Sequence, residues 1–443
     1  MTKFTQYTFA SALTTLAALL GDPANVYWSI YELKLYLRDA LRTWGGLTNY
    51  WRERALLQLV PGVPFYDLST PATEQLGYNI TDQEIYQRIL FMLLEPSDDV
   101  TVSYTGSEQF SYDSITSAIQ RRRDQFLIDT GIVLTRTPNY PTLYPPVPRL
   151  QLPAHTTDVR RVAWTDRDGV TTPVERDDEF AISNYDPLFL AYQPGRPVIY
   201  SVAETAPLEL SVAPPPLDGG TFDLITVETG GRVDPALGVQ SIGIPDNYTW
   251  AVTFGALAEL LSQDSTARDT GRAEYCEGRY QQAVAMAKDR HTSAVNAELN
   301  GRSIQILSLS EADSLNYRWQ SQPGTPAMIG LAGHSLLFSF PPPDAKRPYM
   351  LAIDVIRNAP NPKVVLDDYI QTSSAEYQAI LDYSRHLACF KMGGTEFENT
   401  QTLYQNFISL ASNYNSRLKA SVTDLDAMTG HAKKDAEEIV RSR

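Results

Sequence analysis

The sequence predicts an α+β chain: an N-terminal helical region, two tandem units that each join a β-meander to a helical hairpin, and an extended C-terminal tail. Three observations carry that prediction. A set of landmarks occurs twice in one order. Gln193-Pro194-Gly195-Arg196-Pro197, Pro214-Pro215-Pro216 and Tyr248 are matched by Gln322-Pro323-Gly324-Thr325-Pro326, Pro341-Pro342-Pro343 and Tyr377, with apolar runs between them in both copies. Gln193 and Gln322 are 129 positions apart, as are Tyr248 and Tyr377, while the triple prolines are 127 apart. Ordered landmarks at nearly constant offset mark an internal duplication, with a two-residue length change in one loop. The hydrophobic period also changes, from helical spacing in the front of the chain to short alternating runs after Val159. Finally, Ser421 to Arg443 holds few large apolar residues and many charges, including Lys433-Lys434-Asp435 and Glu437-Glu438, so it can bury little.

The boundaries that follow are a helical region over 1–135, a Pro-rich linker over 136–157, a first unit over 158–300, a second over 301–420, and a charged tail over 421–443. In the front, Phe9, Leu13, Leu16 and Leu20 form one helical face ended by Gly21. Ser29 and Glu32 read as a capping box for a helix carrying Leu33, Tyr36, Leu37, Leu41 and Trp44, stopped by Gly45-Gly46. Thr81 and Glu84 read as a second box before Ile85, Ile89 and Leu93. Asp113 is expected to cap a fourth helix, with Ile115, Ile119 and Phe126 on its apolar side and Arg121-Arg122-Arg123 along it.

Beyond the linker, Arg161 to Trp164 and Val170 to Val174 read as strands around a turn at Asp166 to Gly169. Phe180 to Ile182, Val198 to Tyr200, Leu208 to Val212 and Leu224 to Val227 read as further strands. Pro245-Asp246 opens the first helical hairpin, with Leu257, Leu260, Cys276 and Tyr280 apolar. In the second copy, Leu336 to Phe340 and Leu351 to Val355 are strands. Its hairpin carries Tyr377, Leu381 and Phe390, a turn at Lys391 to Gly394, then Tyr404 and Phe407.

A chain of 443 residues is long enough for about two to four domains. The net charge of −15 repels nucleic-acid phosphates, which argues against tight DNA binding and fits a surface that DNA slides past. Cys276 and Cys389 lie at similar places in the two copies and read as buried small apolar residues. Nothing suggests a disulfide framework, which points to synthesis in a reducing compartment. The apolar run Phe9 to Leu20 lacks the basic start of a signal peptide, and no run reaches membrane-spanning length, so no membrane contact is expected.

Catalytic equipment is not visible. His155, His291, His334, His386 and His431 have no neighbours at metal-ligand spacing. His386 could share a helix face with Cys389, but packing explains the pair better than a metal or a nucleophile. There is no phosphate-cradling Gly-Lys-Ser/Thr run and no Gly-x-Ser-x-Gly elbow. Asp166, Asp168 and Gly169 begin like a calcium loop but lack its closing Glu, and a hairpin turn accounts for them. The expectation is therefore no enzyme, no cofactor and no metal.

At the duplicated units the chain resembles the head-to-tail adaptor (connector) proteins of tailed bacteriophages. The residues that carry the resemblance are Trp319 with Gly324-Thr325-Pro326, Leu336 to Phe340, Pro341-Pro342-Pro343-Asp344, Leu351 to Val355, Asp367-Asp368-Tyr369, Ala388-Cys389-Phe390 with Gly393-Gly394, and Tyr404 with Phe407. In the first copy they are Gly195-Arg196-Pro197, Pro214-Pro215-Pro216, Pro245-Asp246-Asn247-Tyr248 and Tyr280. The match covers roughly 190–293 and 317–418, and the chain departs from the family in having two such units where one is common.

The resemblance implies a virion protein made in the host cytoplasm and placed in the neck. It implies a ring of identical subunits, commonly twelvefold, between a portal protein and a tail or nozzle protein, with tail fibres as further partners. Such a ring seals the exit and lets double-stranded DNA through its lumen without sequence-specific binding. Within that reading, Arg121, Arg122 and Arg123 are expected to touch an acidic partner or passing nucleic acid, unless they only form a solvated face. Lys433 and Lys434 belong to a tail that docks on portal or tail. Competing readings are another neck or tail component, such as a tail-fibre anchor, and a hydrolase of the cell envelope.

Overall fold

The computed structural model describes residues 6–68, 77–93, 109–141, 148–191, 193–203, 208–216, 220–264, 268–289, 294–356, 359 and 369–417. Asp367, Asp368, Lys433, Lys434 and the whole tail after Ser421 lie outside the described residues. The chain forms two compact units, one of Met1–Trp51, Leu90–Val102 and Asn358–Arg443, the other of Arg52–Ile89 and Ser103–Arg357. Both helices and strands are abundant, as an α+β chain requires.

Along the chain come α1 (Phe9–Leu19), α2 (Ile30–Thr48), β1 (Arg52–Leu59) and β2 (Phe65–Asp67). Next are α3 (Asp82–Met92), α4 (Tyr112–Thr130), β3 (Thr135–Pro141), β4 (Arg149–Gln151), β5 (Thr156–Thr165), β6 (Thr171–Arg176) and α5 (Glu179–Tyr185). They lead to β7 (Ile199–Val202), β8 (Glu209–Ala213), β9 (Thr221–Glu228), α6 (Thr249–Ser262) and α7 (Thr270–Asp289). The last third holds β10 (Ala294–Leu299), β11 (Arg302–Ser303), β12 (Gln305–Leu307), α8 (Leu309–Leu315), β13 (Met328–Ala332), β14 (Leu336–Phe340) and β15 (Tyr349–Ile356). It closes with α9 (Ser374–Cys389), α10 (Gly394–Asn399) and α11 (401–417).

The first unit is helical. Thr8 caps α1 and Ser11 returns the bond, both at 3.1 Å, and the helix buries Phe9, Leu13 and Leu16. Ser29 caps α2 by accepting from the Glu32 amide at 3.2 Å. The expected capping box closes on that side only, because the Glu32 carboxylate accepts from Lys391 Nζ at 2.9 Å and from the Tyr36 hydroxyl at 2.8 Å instead. Gly45-Gly46 does not stop α2. Both glycines are buried inside the helix, which runs to Thr48 and ends on Asn49 in the left-handed region, φ 51°. Trp44 packs on Phe407 of α11 at 5.4 Å between ring centroids, and Tyr383 of α9 stacks on Phe407 at 4.4 Å.

The second unit holds the strands. Its largest sheet has the order β3-β9-β5-β6-β7-β8-β4, and two four-stranded sheets run β1-β15-β10-β11 and β12-β13-β14-β2. The N-terminal region predicted as helical thus also supplies β1 and β2. The stretch predicted as a linker holds most of β3, all of β4 and the start of β5. Proline explains the second difference, since β3, with Pro138 and Pro141, is an edge strand, where a missing N–H interrupts no ladder. Phe180 to Ile182, expected as a strand, is part of α5, because Asp178 Oδ1 accepts from the Phe180 amide at 3.0 Å and turns the chain into a helix. Ser111, not Asp113, caps α4, accepting from the Ser114 amide at 3.1 Å. Thr81 likewise accepts from the Glu84 amide at 3.2 Å, and the Glu84 carboxylate also pairs with Arg88 at 3.2 Å.

The two strand sets are built to one plan. Reading β11 and β12 together as the counterpart of β6, the order β1-β15-β10-β11/β12-β13-β14-β2 repeats β3-β9-β5-β6-β7-β8-β4 position by position. The one parallel pair falls in the same place, β6 with β7 and β12 with β13. Ile199 faces Ala213 where Met328 faces Phe340, so the two-residue difference lies in the loop between these paired strands. Gly195 N donates to Pro215 O and Gly324 N to Pro342 O, both at 2.8 Å, and the Ala213-Pro214 and Phe340-Pro341 bonds are both cis. A Cβ on either glycine would come 3.1 Å from the ring of the facing proline, a tight contact in both copies.

The correspondence reaches into the helices. The Thr8–Tyr369 bridge before α1 has its counterpart in the Thr81–Ser241 bridge before α3. Helices α2 and α4 both have 19 residues and both end on a left-handed residue, Asn49 and Gly131. The Trp44–Phe407 ring pair is matched by Phe126–Tyr280. Each β-plus-hairpin stretch is therefore completed by a helix-helix-strand-strand segment from the front of the chain. The inner repeat, α3 to α7, is inserted into the outer repeat between β2 and β10. Their cores are separate, with Leu331, Leu337, Leu351 and Ile353 in one and Val162, Trp164, Leu210 and Phe222 in the other.

Candidate interface surfaces

Alternation along β3, β9 and β5 puts Phe222, Leu224 and Val162 into the inner-repeat core and turns Arg136, Ile225 and Arg161 to the opposite face. That face is covered by strands of the outer repeat. Ile225 joins Phe65, Ala312, Trp319, Leu336 and Phe338 in one buried cluster. Arg161 makes a bidentate pair with Asp313 on α8 at 2.7 and 2.8 Å, and Asp313 also accepts from Trp319 Nε1 at 2.8 Å. Arg136 pairs with Asp223 at 2.9 Å and stands 4.7 Å from the Phe65 ring centroid. Ser335 Oγ accepts from the Leu134 amide at 2.8 Å. This joint has the apolar centre and paired charges of a permanent interface. No local pattern signals this joint, because Arg161 and Asp313 are 152 positions apart.

The arginine run predicted to meet a partner is occupied within the chain. Arg122 NH2 lies 3.0 Å from Glu277 on α7, its Nε lies 3.8 Å from Glu259 on α6, and its guanidinium sits 5.2 Å from the Tyr280 ring centroid. Arg121 pairs with Glu259 and keeps 58% of its side chain exposed. Arg123 is buried beside Asp124, packed so close to Gly230 that a Cβ there would come within 2.6 Å of its Cζ. Arg121 and Arg122 clamp α4 to the α6–α7 hairpin, and of the three arginines Arg121 alone stays largely open to solvent. Lys433 and Lys434 lie outside the described residues.

Both thiols are buried and free, and burial pushes each above its ordinary range. Their places are not equivalent, since Cys276 is in the second helix of its hairpin and Cys389 ends the first helix of its own. His386 is buried, with Nδ1 2.9 Å from Thr400 Oγ1 and its ring stacked 4.8 Å from Phe397. Asp166 Oδ1 accepts from the Asp168 and Val170 amides at 3.0 and 2.8 Å, an Asx turn closing the β5–β6 hairpin. Among the described residues no cluster of His, Cys, Asp and Glu is arranged to hold a metal ion, and no helix is long and apolar enough to cross a membrane.

The residues carrying the connector resemblance hold backbone. Asp246 Oδ1 accepts from the Asn79 and Ile80 amides, both at 2.9 Å, and so ties the entry of α6 to the strand-like lead into α3. Asp344, after the second triple proline, accepts from the Tyr349 hydroxyl at 2.9 Å and the Lys346 amide at 3.2 Å. Desolvation raises its carboxyl pKa, but these two bonds and the Lys346 and Arg347 charges together outweigh it and hold the carboxyl below its ordinary value. Comparison with protein-family models and with curated proteins found no match.

Proposed function

We propose that this chain is a structural protein of a virion, a head-to-tail adaptor that forms a ring between portal and tail and lets DNA pass. The observation that carries the reading is the twice-used β-plus-helical-hairpin unit, with its Gly-x-Pro and Pro-Pro-Pro landmarks in matching positions in both repeats. A unit held together by paired backbone and apolar packing suits a mechanical part. The net charge of −15 suits a lumen past which DNA moves without adhering. The portal and tail are the partners of this reading, and the tail after Lys419 is the segment assigned to dock on one of them.

The test is a mass measurement on the full chain, alone and mixed with a portal ring. Multi-subunit species that co-purify with the portal support the reading. A strict monomer in both samples, or particles that lack the protein, refutes it. A chain cut after Lys419 that still assembles infectious particles would remove the docking role of the tail.

A further inference from the structure

A small slot in the inner repeat has a charged floor whose hydrogen-bonding groups the chain uses only in part. It has a volume of about 60 Å³ and is lined by Asp82, Arg123, Gly230, Val233, Gln240 and Ile242 among others. Asp82 opens α3 and Arg123 lies on α4, and they are 2% and 3% exposed. Val233 and Ile242 are buried as well, while Gln240 is exposed, so the slot opens to solvent. Asp82 Oδ1 accepts from the Gln83 amide at 2.8 Å and from the Gln240 amide at 3.1 Å. Its other oxygen, Oδ2, is buried and accepts no hydrogen bond. Arg123 Nε donates to Asp124 Oδ1 at 2.9 Å. Its NH2 lies 2.8 Å from the same oxygen but out of line for a hydrogen bond, and it too is buried. Buried polar atoms left without partners are costly, so this pair calls for a guest.

The outer repeat does without these charges. Thr8 and Thr81 make matching bridges just before their helices, so Phe9 at the start of α1 stands where Asp82 stands in α3. Leu41 is the twelfth residue of α2 as Arg123 is the twelfth of α4. Phe9 and Leu41 are 1% and 0% exposed. The shared plan therefore closes at these positions with apolar side chains, and the fold itself does not require a buried carboxylate and guanidinium there. The loop that forms one wall of the slot is held in place from α4. The Tyr112 hydroxyl donates to Asp234 Oδ1 at 2.8 Å and accepts from the Ala236 amide at 3.1 Å. Between Ala236 and Gln240 that loop presents Leu237 and Val239, 81% and 61% exposed.

We propose that this slot binds a primary carboxamide, whose N–H donates to Asp82 Oδ2 and whose carbonyl accepts from Arg123 NH2. The group carries the complementary donor and acceptor side by side on one plane. A carboxylate offers Asp82 no donor, and an ammonium offers Arg123 no acceptor. The space equals about two waters' share of liquid volume, enough for one such group. Its source is either a small free amide or the Asn or Gln side chain of a partner protein, whose apolar neighbours then rest on Leu237 and Val239. The inference is independent of the ring reading, and either can fail while the other stands.

The experiment is a titration of the full chain, labelled at Ile and Val methyls, followed by NMR with Val233 and Ile242 as reporters. Acetamide is the probe. Acetone, of similar size but without the donor, and acetate are the controls. Acetamide is expected to shift both reporters to saturation, and each control to bind at least about tenfold more weakly. Asp82→Asn keeps Oδ1 for the two amides and puts an NH2 group in place of Oδ2. It is expected to weaken acetamide at least about tenfold and to leave methyls away from the slot unmoved. Reporters that stay still with acetamide, as in a slot that holds water only, overturn the proposal. Acetone or acetate binding as tightly as acetamide overturns it too, on the parent chain and whether or not the variant folds. A folded Asp82→Asn chain with unchanged acetamide binding overturns the part given to Asp82. Acetyl-Leu-Gln-Leu-N-methylamide then separates the two sources. Tighter binding than acetamide assigns the slot to a partner's side chain, and binding no tighter assigns it to a free amide.

Discussion

Replacing Lys391 by Met removes one ammonium and keeps most of the side-chain volume. Lys391 and Glu32 are 8% and 4% exposed and 2.9 Å apart, and Lys391 also donates to Tyr27 O at 3.0 Å. The variant leaves the Glu32 carboxylate buried, with the Tyr36 hydroxyl still donating to it. Removing one partner of a buried pair costs about 3–5 kcal/mol, most of it the penalty on the stranded charge. Burial already raises the Glu32 carboxyl above its ordinary value of 4.5, and attraction to Lys391 opposes that rise. Without the ammonium the folded-state pKa climbs further.

An acid whose folded pKa exceeds its unfolded pKa binds more protons when folded, so stability falls as pH rises from the unfolded value through the folded one. The deficit of Lys391→Met is therefore largest in neutral to basic buffer and shrinks in acid, where the carboxyl is protonated. Urea unfolding followed by tryptophan fluorescence at about pH 8 and about pH 5 measures both. The double variant Glu32→Gln with Lys391→Met is expected to recover most of the loss at high pH. A loss below about 1 kcal/mol at pH 8, or an equal loss at both pH values, would refute the assignment of a buried, charged pair.

Three further outcomes follow from the geometry. A Cβ on Gly330 would lie 2.1 Å from Phe338 Cζ and 2.3 Å from Leu307 O, so Gly330→Ala should destabilise the β-rich unit by on the order of 3 kcal/mol in denaturant unfolding. Asp246→Ala leaves the Asn79 and Ile80 amides without their acceptor, and a loss of about 2 kcal/mol with faster hydrogen exchange at those two amides is expected, with Asp246→Asn milder. Cys276 and Cys389 are buried with raised pKa values, so a thiol reagent at neutral pH should label neither until the chain is unfolded.

The sequence was most legible where a local rule acts alone. Landmarks at constant offset fall at matching turns because Gly195 and Gly324 meet a facing proline in one geometry. Apolar periodicity located α1, α2, α4 and α9. Two kinds of feature escaped. Strand β1 was hidden because its outward positions are Arg52, Arg54, Leu56 and Gln58 and its inward ones Ala55, Leu57 and Leu59, so Leu56 interrupts the alternation next to a strong helical pattern. Asn300-Gly301, both with positive φ, joins β10 to β11 and is a hairpin signal that could have placed those strands. Pairings across long stretches of chain, Arg161 with Asp313 and Glu32 with Lys391, leave no local trace at all. Arg121 and Arg122 looked like a surface because their partners, Glu259 and Glu277, belong to helices more than a hundred positions away.

The proposed role requires that a chain carrying two nested copies of one β-plus-helix plan assembles into a closed ring of identical subunits. End-on electron-microscope class averages of the assembled full-length protein test it most directly. Closed rotational symmetry is the predicted image. Two-fold particles with like surfaces facing each other would contradict it.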